Sequence, residues 1–234
     1  MILIVAATGK EMDWLLRGAI SLRDLEGIIV GERFTWNMFG FLICGVGPLN
    51  AAISLEACLA ANPQIKQVIN FGIAGSYDIK TLPLGSVCVV REEVWPEYGV
   101  RSGFFADASI LGFPIYQEGE RVVWNRLSLV ERGFTYGGLK LDPSWMEVVS
   151  VTVAGVSSTP EHAKVLRSDF HGQIENMEGF ALAYSCFRHD IPFLEIRTIS
   201  NLAGSRDKKD WNFKSAFSAL NRTWHYMTRA LQTS

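Results

Sequence analysis

Residues 176–200 read NMEGFALAYSCFRHDIPFLEIRTIS. The first half has helical spacing: Phe180, Ala181, Tyr184 and Phe187 share one face of a helix predicted over Glu178–Arg188. His189-Asp190 and then Pro192 stop it, since proline has no amide hydrogen with which to continue the ladder. Phe193–Ser200 follows as a strand. Outward from this unit the same alternation recurs. Ile2–Ala7 is a buried strand ending at Thr8-Gly9, and Phe41–Gly45 is a second, running into Gly45-Val46-Gly47. A helix over Leu49–Ala61 stops at Asn62-Pro63. Gln67–Phe71 is a third strand and is expected to end in the turn Gly72-Ile73-Ala74-Gly75-Ser76; Ser86–Val90 and Val148–Ala154 are further strands. The last helix is expected to start at Asp210 as N-cap. Its stripe of Phe213, Phe217, Leu220, Trp224, Met227 and Leu231 reads as core packing. Near-continuous apolar strands alternating with helices argue for a sheet covered on both faces, hence an α/β protein.

The segment from about residue 96 to 145 is less regular and reads as loops and edge strands of the same unit. Its Pro and Gly residues are scattered and form no linker, so one domain is expected over residues 1–234. With 48% hydrophobic and 20% charged residues and a net charge of −2, the chain lacks the basic footprint of a nucleic-acid binder. Its apolar start is too short for a signal peptide or a membrane span, so a cytoplasmic protein is expected. Cys44, Cys58, Cys88 and Cys186 have no metal-binding spacing and read as buried thiols; His162, His171, His189 and His225 are spaced no better. No metal and no cofactor are expected.

Gly45-Val46-Gly47 opens like a dinucleotide fingerprint, but the third glycine is missing, and Phe71-Gly72 stands where the acid should end the next strand. A Walker Lys-Ser pair and a GxSxG elbow are both absent from the sequence. In open α/β sheets ligands bind beyond the carboxyl ends of parallel strands. Three polar residues fall there: Glu11, Glu178 and Asn201. Each also has a plain structural account, the acids as first-turn helix residues and the amide as a turn residue.

Asn176-Met177-Glu178-Gly179-Phe180-Ala181 followed by Arg197-Thr198-Ile199-Ser200-Asn201 resembles the C-terminal signature of the purine nucleoside phosphorylases and methylthioadenosine/S-adenosylhomocysteine nucleosidases. Gly45-Val46-Gly47 and Asn70-Phe71-Gly72-Ile73-Ala74-Gly75 are similar to that family's glycine turns. The nucleosidases carry aspartate where this chain has Asn201. Together with Gly204-Ser205-Arg206-Asp207 and Trp211, that residue resembles the futalosine hydrolase branch, which serves an alternative menaquinone route. The resemblance implies a three-layer α/β/α domain around a mixed, partly closed sheet, and a homodimer or larger assembly. It implies a purine nucleoside as substrate, with Glu11 activating water, Glu178 binding the ribose hydroxyls, Met177 packing on the sugar and Asn201 facing the imidazole side of the base. Gly72, Ile73 and Asn176 are further candidate substrate contacts, and the segment Gly155–Pro160, with Thr159 as its candidate, is expected to line the purine.

Those residue types suit the chemistry. Cleaving an N-glycosidic bond passes through an oxocarbenium-like sugar. Water must be held on one face and the departing base stabilised on the other. A carboxylate that takes a proton from water contributes about 10²–10⁴-fold. An asparagine amide has two N–H donors and suits the N7 and O6 acceptors of hypoxanthine; a protonated aspartic acid suits adenine. Three rivals stay open: an adenine-releasing nucleosidase, a phosphorylase, for which Lys10 is the one cation near the glycine turns in sequence, and a purine-binding module without turnover. Trp95, Tyr98, Arg101, Phe104 and Phe105 offer a stacking and cationic pocket for the benzoate end of futalosine, but ordinary core aromatics explain them better.

Overall fold

The computed structural model describes residues 1–19, 33–36, 38–103, 105–129, 139 and 141–229. In chain order the elements begin β1 (Ile2–Ala6), α1 (Gly9–Leu16), β2 (Arg33–Trp36), β3 (Phe39–Ile43), α2 (Pro48–Ala61), β4 (Gln67–Ser76) and β5 (Val87–Val94). There follow β6 (Val100–Ser102), β7 (Phe105–Asp107), the single turn α3 (Ala108–Leu111), β8 (Tyr116–Glu118), β9 (Arg121–Val123) and β10 (Arg126–Ser128). The chain then forms β11 (Met146–Thr152), α4 (Pro160–Phe170), β12 (Ile174–Asn176), α5 (Gly179–Arg188), β13 (Phe193–Leu202) and α6 (Phe213–Thr228).

Strands β10-β5-β11-β12-β4-β1-β3-β2 lie side by side in that order, and β13 pairs with both β4 and β5. That last pairing closes β4, β13, β5, β11 and β12 into a ring of mixed parallel and antiparallel strands. The partly closed mixed sheet implied by the family resemblance is therefore present. Helices cover both sides. Leu55, Phe180, Leu182 and Cys186 of α2 and α5 join one apolar core. Met12, Leu15, Leu220, Trp224 and Met227 of α1 and α6 join the other, where the Trp224 ring packs on Phe39, Phe41 and Phe71. All four cysteines are buried thiols. Among the described residues no helix is long and apolar enough to cross a membrane.

Two expectations need correction, and two regions left open in the sequence are filled in. The glycines after Phe71 make no turn; β4 runs on through Gly72 and Gly75 to Ser76. They are there for room: a β carbon on Gly72 would collide with the Arg197 guanidinium, and one on Gly75 would crowd Asn201 and Ala203. The last helix starts later than expected, at Phe213 with Asn212 as its cap, because the Asp210 carboxylate accepts from Ser205 Oγ at 2.7 Å instead. In the irregular middle, β6–β7 and β8–β9 form two hairpins of their own, and β10 alone joins the main sheet, as its edge. Finally, β12 was not foreseen. It is three residues long and has no apolar run to announce it.

Candidate active site

A cavity of about 410 Å³ opens where the strand ends predict it. Glu11, Glu178 and Asn201 all line it, as do Ile73, Asn176 and Met177. Thr159 does not. Its hydroxyl accepts from His162 N and caps α4, and the cavity wall two residues earlier is made by Val156 and Ser157. Gly72 is also absent from the lining; it lies behind the wall, making space for Arg197.

Each acid is fixed by the element that carries it. Thr8 caps α1, and Glu11 three residues on reaches back to it, a reciprocal capping box. Glu11 Oε2 accepts from Thr8 N at 3.0 Å and from Thr8 Oγ1 at 2.8 Å, and Oε1 accepts from Ile73 N at 3.1 Å on β4. Glu178 precedes α5. Its Oε1 accepts from Gly47 N at 3.0 Å, and its Oε2 lies 3.5 Å from the Arg197 guanidinium. Gly47 is the N-cap of α2, with φ of 91°, so the carboxylate occupies a helix N-terminus. Burial, and then the like charge of Glu178, push the Glu11 carboxyl above its ordinary value, which makes it a better base than a surface glutamate.

Asn176 touches the cavity, but its amide is committed to the protein. It donates to Glu93 Oε1 and Ser150 Oγ, both at 2.7 Å, and its oxygen accepts from the amides of Glu178 and Gly179 at 2.8 and 2.6 Å and from Arg197 Nη2 at 3.1 Å. It therefore positions Glu178 and leaves no hydrogen-bonding capacity for a ligand. Asn201 Oδ1 lies 2.8 Å from the Ser200 hydroxyl, which leaves the NH₂ as its outward group; one N–H donates to Leu202 O at 3.2 Å.

Sequence reading passed over several lining residues. Glu175, on the unforeseen β12, is 3% exposed and is held by Ser157 N at 3.0 Å and Ser157 Oγ at 2.6 Å. Phe213 and Phe217 line the cavity with Trp211 and Lys10, so the first turns of α6 face the void, whereas the stripe had read as core throughout. The Lys10 ammonium sits 5.3 Å from the centre of the Phe217 ring. Arg197 was visible as part of a motif but was given no role. Burial works against its charge, yet Glu195 and Glu178 hold the proton on. The other aromatic group lies elsewhere: Trp95 packs on Tyr98 and Phe180, Phe105 stacks on His162 and meets Phe170, and none of these lines the cavity. Arg101 is exposed, and Phe104 lies outside the described residues. No three His, Cys, Asp or Glu side chains among the described residues group as a metal site.

The family model of the phosphorylase superfamily matches residues 2–223. A futalosine hydrolase from Thermus thermophilus is 39% identical over 184 residues, covering 79% of this chain and 78% of that protein. A futalosine hydrolase from Streptomyces coelicolor is 29% identical over 186 residues, covering 76% and 74%. Among solved structures, a 5'-methylthioadenosine/S-adenosylhomocysteine nucleosidase from S. pneumoniae superposes with a TM-score of 0.73 at 20% identity, covering 98% and 99% of the two chains. At that identity the likeness speaks for the fold.

Proposed function

The chain belongs to the phosphorylase superfamily and, within it, to the futalosine hydrolase family, and from that premise we propose that it hydrolyses futalosine, releasing hypoxanthine. It is an N-glycosyl hydrolase of a purine nucleoside. The observation that carries the hydrolytic mechanism is the convergence of Glu11, Glu178 and Asn201 on one cavity, with the two acids held by backbone amides.

In the proposed reaction the base departs from the anomeric carbon as positive charge builds on the ribose ring. Glu178 accepts from the ribose hydroxyls, bonds that strengthen as the ring becomes cationic. Met177 lies against the sugar. Glu11 takes one proton from the attacking water while the remaining hydroxyl bonds to the anomeric carbon. Asn201 donates a hydrogen bond to the purine as negative charge collects on its imidazole ring; the base takes a proton from solvent and leaves neutral, and Glu11 returns to solvent the proton it took from water. Water is favoured over phosphate as the nucleophile by one contact. The Gly47 amide, where a helix N-terminus offers a phosphate its natural seat, is already taken by the Glu178 carboxylate. The same reading assigns the protein to menaquinone biosynthesis, in the cytoplasm, as a homodimer or larger assembly.

The test is direct. Pure protein is mixed with futalosine, inosine, aminodeoxyfutalosine and methylthioadenosine, with and without phosphate, and the freed base is identified. Hypoxanthine from futalosine, independent of phosphate, is expected. Adenine released from methylthioadenosine at an equal rate overturns the substrate assignment, and a requirement for phosphate overturns hydrolysis.

A further inference from the structure

Glu175 is a buried acid that the reaction above does not use. We propose that it reads the N1–H of a 6-oxopurine and is the residue that separates hypoxanthine-type bases from adenine in this site. The inference rests on the hydrolase reading and deepens it.

Position comes first. β12, β4 and β13 are neighbours, and Gly75 of β4 is paired with Glu175 on one side and with Asn201 on the other. A β carbon at Gly75 would stand 3.1 Å from Asn201 Nδ2 and 3.4 Å from Glu175 Cγ. The two side chains thus come together over one glycine, at the end of the cavity that holds the base. A purine seated there meets both groups along a single edge.

Capacity comes second. With one N–H of Asn201 bound to Leu202 O, a single N–H remains for the base. N7 accepts that bond in hypoxanthine and adenine alike, so Asn201 alone leaves the two bases poorly separated. The groups that differ are at positions 6 and 1. Hypoxanthine presents a carbonyl and an N–H donor there; adenine presents an amine and an acceptor. A carboxylate can accept from N1–H, but set against adenine N1 it brings two acceptors together. Ser157 gives Glu175 two hydrogen bonds from one side and orients it, which leaves further lone pairs for a ligand. Burial raises the Glu175 carboxyl, while Ser157, Tyr77 and His162 favour its charged form.

The test uses free bases, so that no sugar substituent enters. Binding of hypoxanthine, 1-methylhypoxanthine and adenine is measured by calorimetry. Wild type is expected to bind hypoxanthine about 10- to 100-fold tighter than either of the others, the range expected of one charge-assisted hydrogen bond. Glu175→Gln, whose amide can donate to N1 of adenine, is expected to weaken hypoxanthine, strengthen adenine and shrink that ratio by about tenfold or more. Glu175→Ala is expected to abolish discrimination against the methyl group. A purely structural role would weaken all three bases alike, and that result overturns the proposal. Equal binding of the three bases by wild type overturns it with no variant needed. Hydrolysis of futalosine alongside equal base binding sinks the Glu175 assignment alone; failure to bind any base or to cleave any nucleoside sinks the hydrolase reading first.

Discussion

Two groups of carboxyls, one paired with Arg197 through Glu195 and the other through Glu178, differ in what their oxygens face. In the first, Glu93 and Glu195 are sealed among side chains drawn from every strand of the closed ring. Arg197 Nε donates to Glu195 and Nη2 to Asn70, both at 2.7 Å; Asn176 and Thr152 donate to Glu93, each at 2.7 Å. Burial, and then the neighbouring Glu195, hold Glu93 well above the ordinary carboxyl range. In the second, Glu11, Glu178 and Glu175 are nearly as buried, at 5%, 5% and 3% exposed, but they border the cavity. The same side chain is therefore spent on the protein where the protein surrounds it and keeps capacity for a ligand where a void remains. Burial alone does not tell the two apart; the direction in which hydrogen-bonding capacity is left over does.

Variants on the two sides should separate cleanly. The largest effect is expected from Glu11→Gln, which keeps the shape and removes the base: kcat should fall by about 10²–10⁴-fold with nucleoside binding retained. Turnover near wild type would show that Glu11 is only a helix cap. Arg197→Met should act on both groups. It strands Glu195 without its cation and should lower stability by about 3–5 kcal/mol in urea unfolding, in addition to impairing turnover. A loss confined to turnover would mean that the sealed group does not depend on Arg197. Thr8→Ala removes the hydroxyl that donates to Glu11 and caps α1. The helix should lose about 1 kcal/mol. The Glu11 carboxyl, already raised, should rise further, because the hydroxyl favours the anion. The base must be ionised to work, so the acid limb of the pH–rate profile should move to higher pH; a limb that stays put or moves down contradicts the role given to Glu11.

The smallest effect, and the sharpest contrast, belongs to Glu93→Gln. A carboxyl whose folded pKa is raised contributes stability fully below its unfolded pKa, and that contribution is lost as pH rises towards the folded value. The amide has no proton to lose. Its stability relative to wild type should accordingly grow between pH 5 and pH 8, with turnover near that of wild type. Parallel unfolding curves at the two pH values would show that Glu93 is charged after all.

The sequence made the strand-end chemistry readable because Glu11, Glu178 and Asn201 each follow a recognisable strand or open a recognisable helix. Glu175 escaped because β12 has three residues and no periodicity to reveal it. Arg197 escaped because an arginine inside an apolar strand is identified as a buried partner only when Glu195, Asn70 and Glu178 are seen around it. Phe213 and Phe217 keep the same helical register as Trp224, and a register gives the face but not where along the helix the protein stops and the cavity begins. Gly155–Pro160 does reach the cavity, but through Val156 and Ser157 and not Thr159, because no period fixes position along a loop. The two N–H groups credited to Asn201 were correct chemistry, but a backbone carbonyl next door had already claimed one of them.

The shortness of β12 has a practical corollary. Two paired positions join it to β4 and three to β11, and those few pairings both complete the ring and bring Glu175, Asn176, Met177 and Glu178 to the cavity. Closing the ring and lining the cavity therefore depend on the same few pairings. A molecule without that seam lacks one wall of the cavity, so base release in a refolding mixture should report the molecules in which β12 has paired.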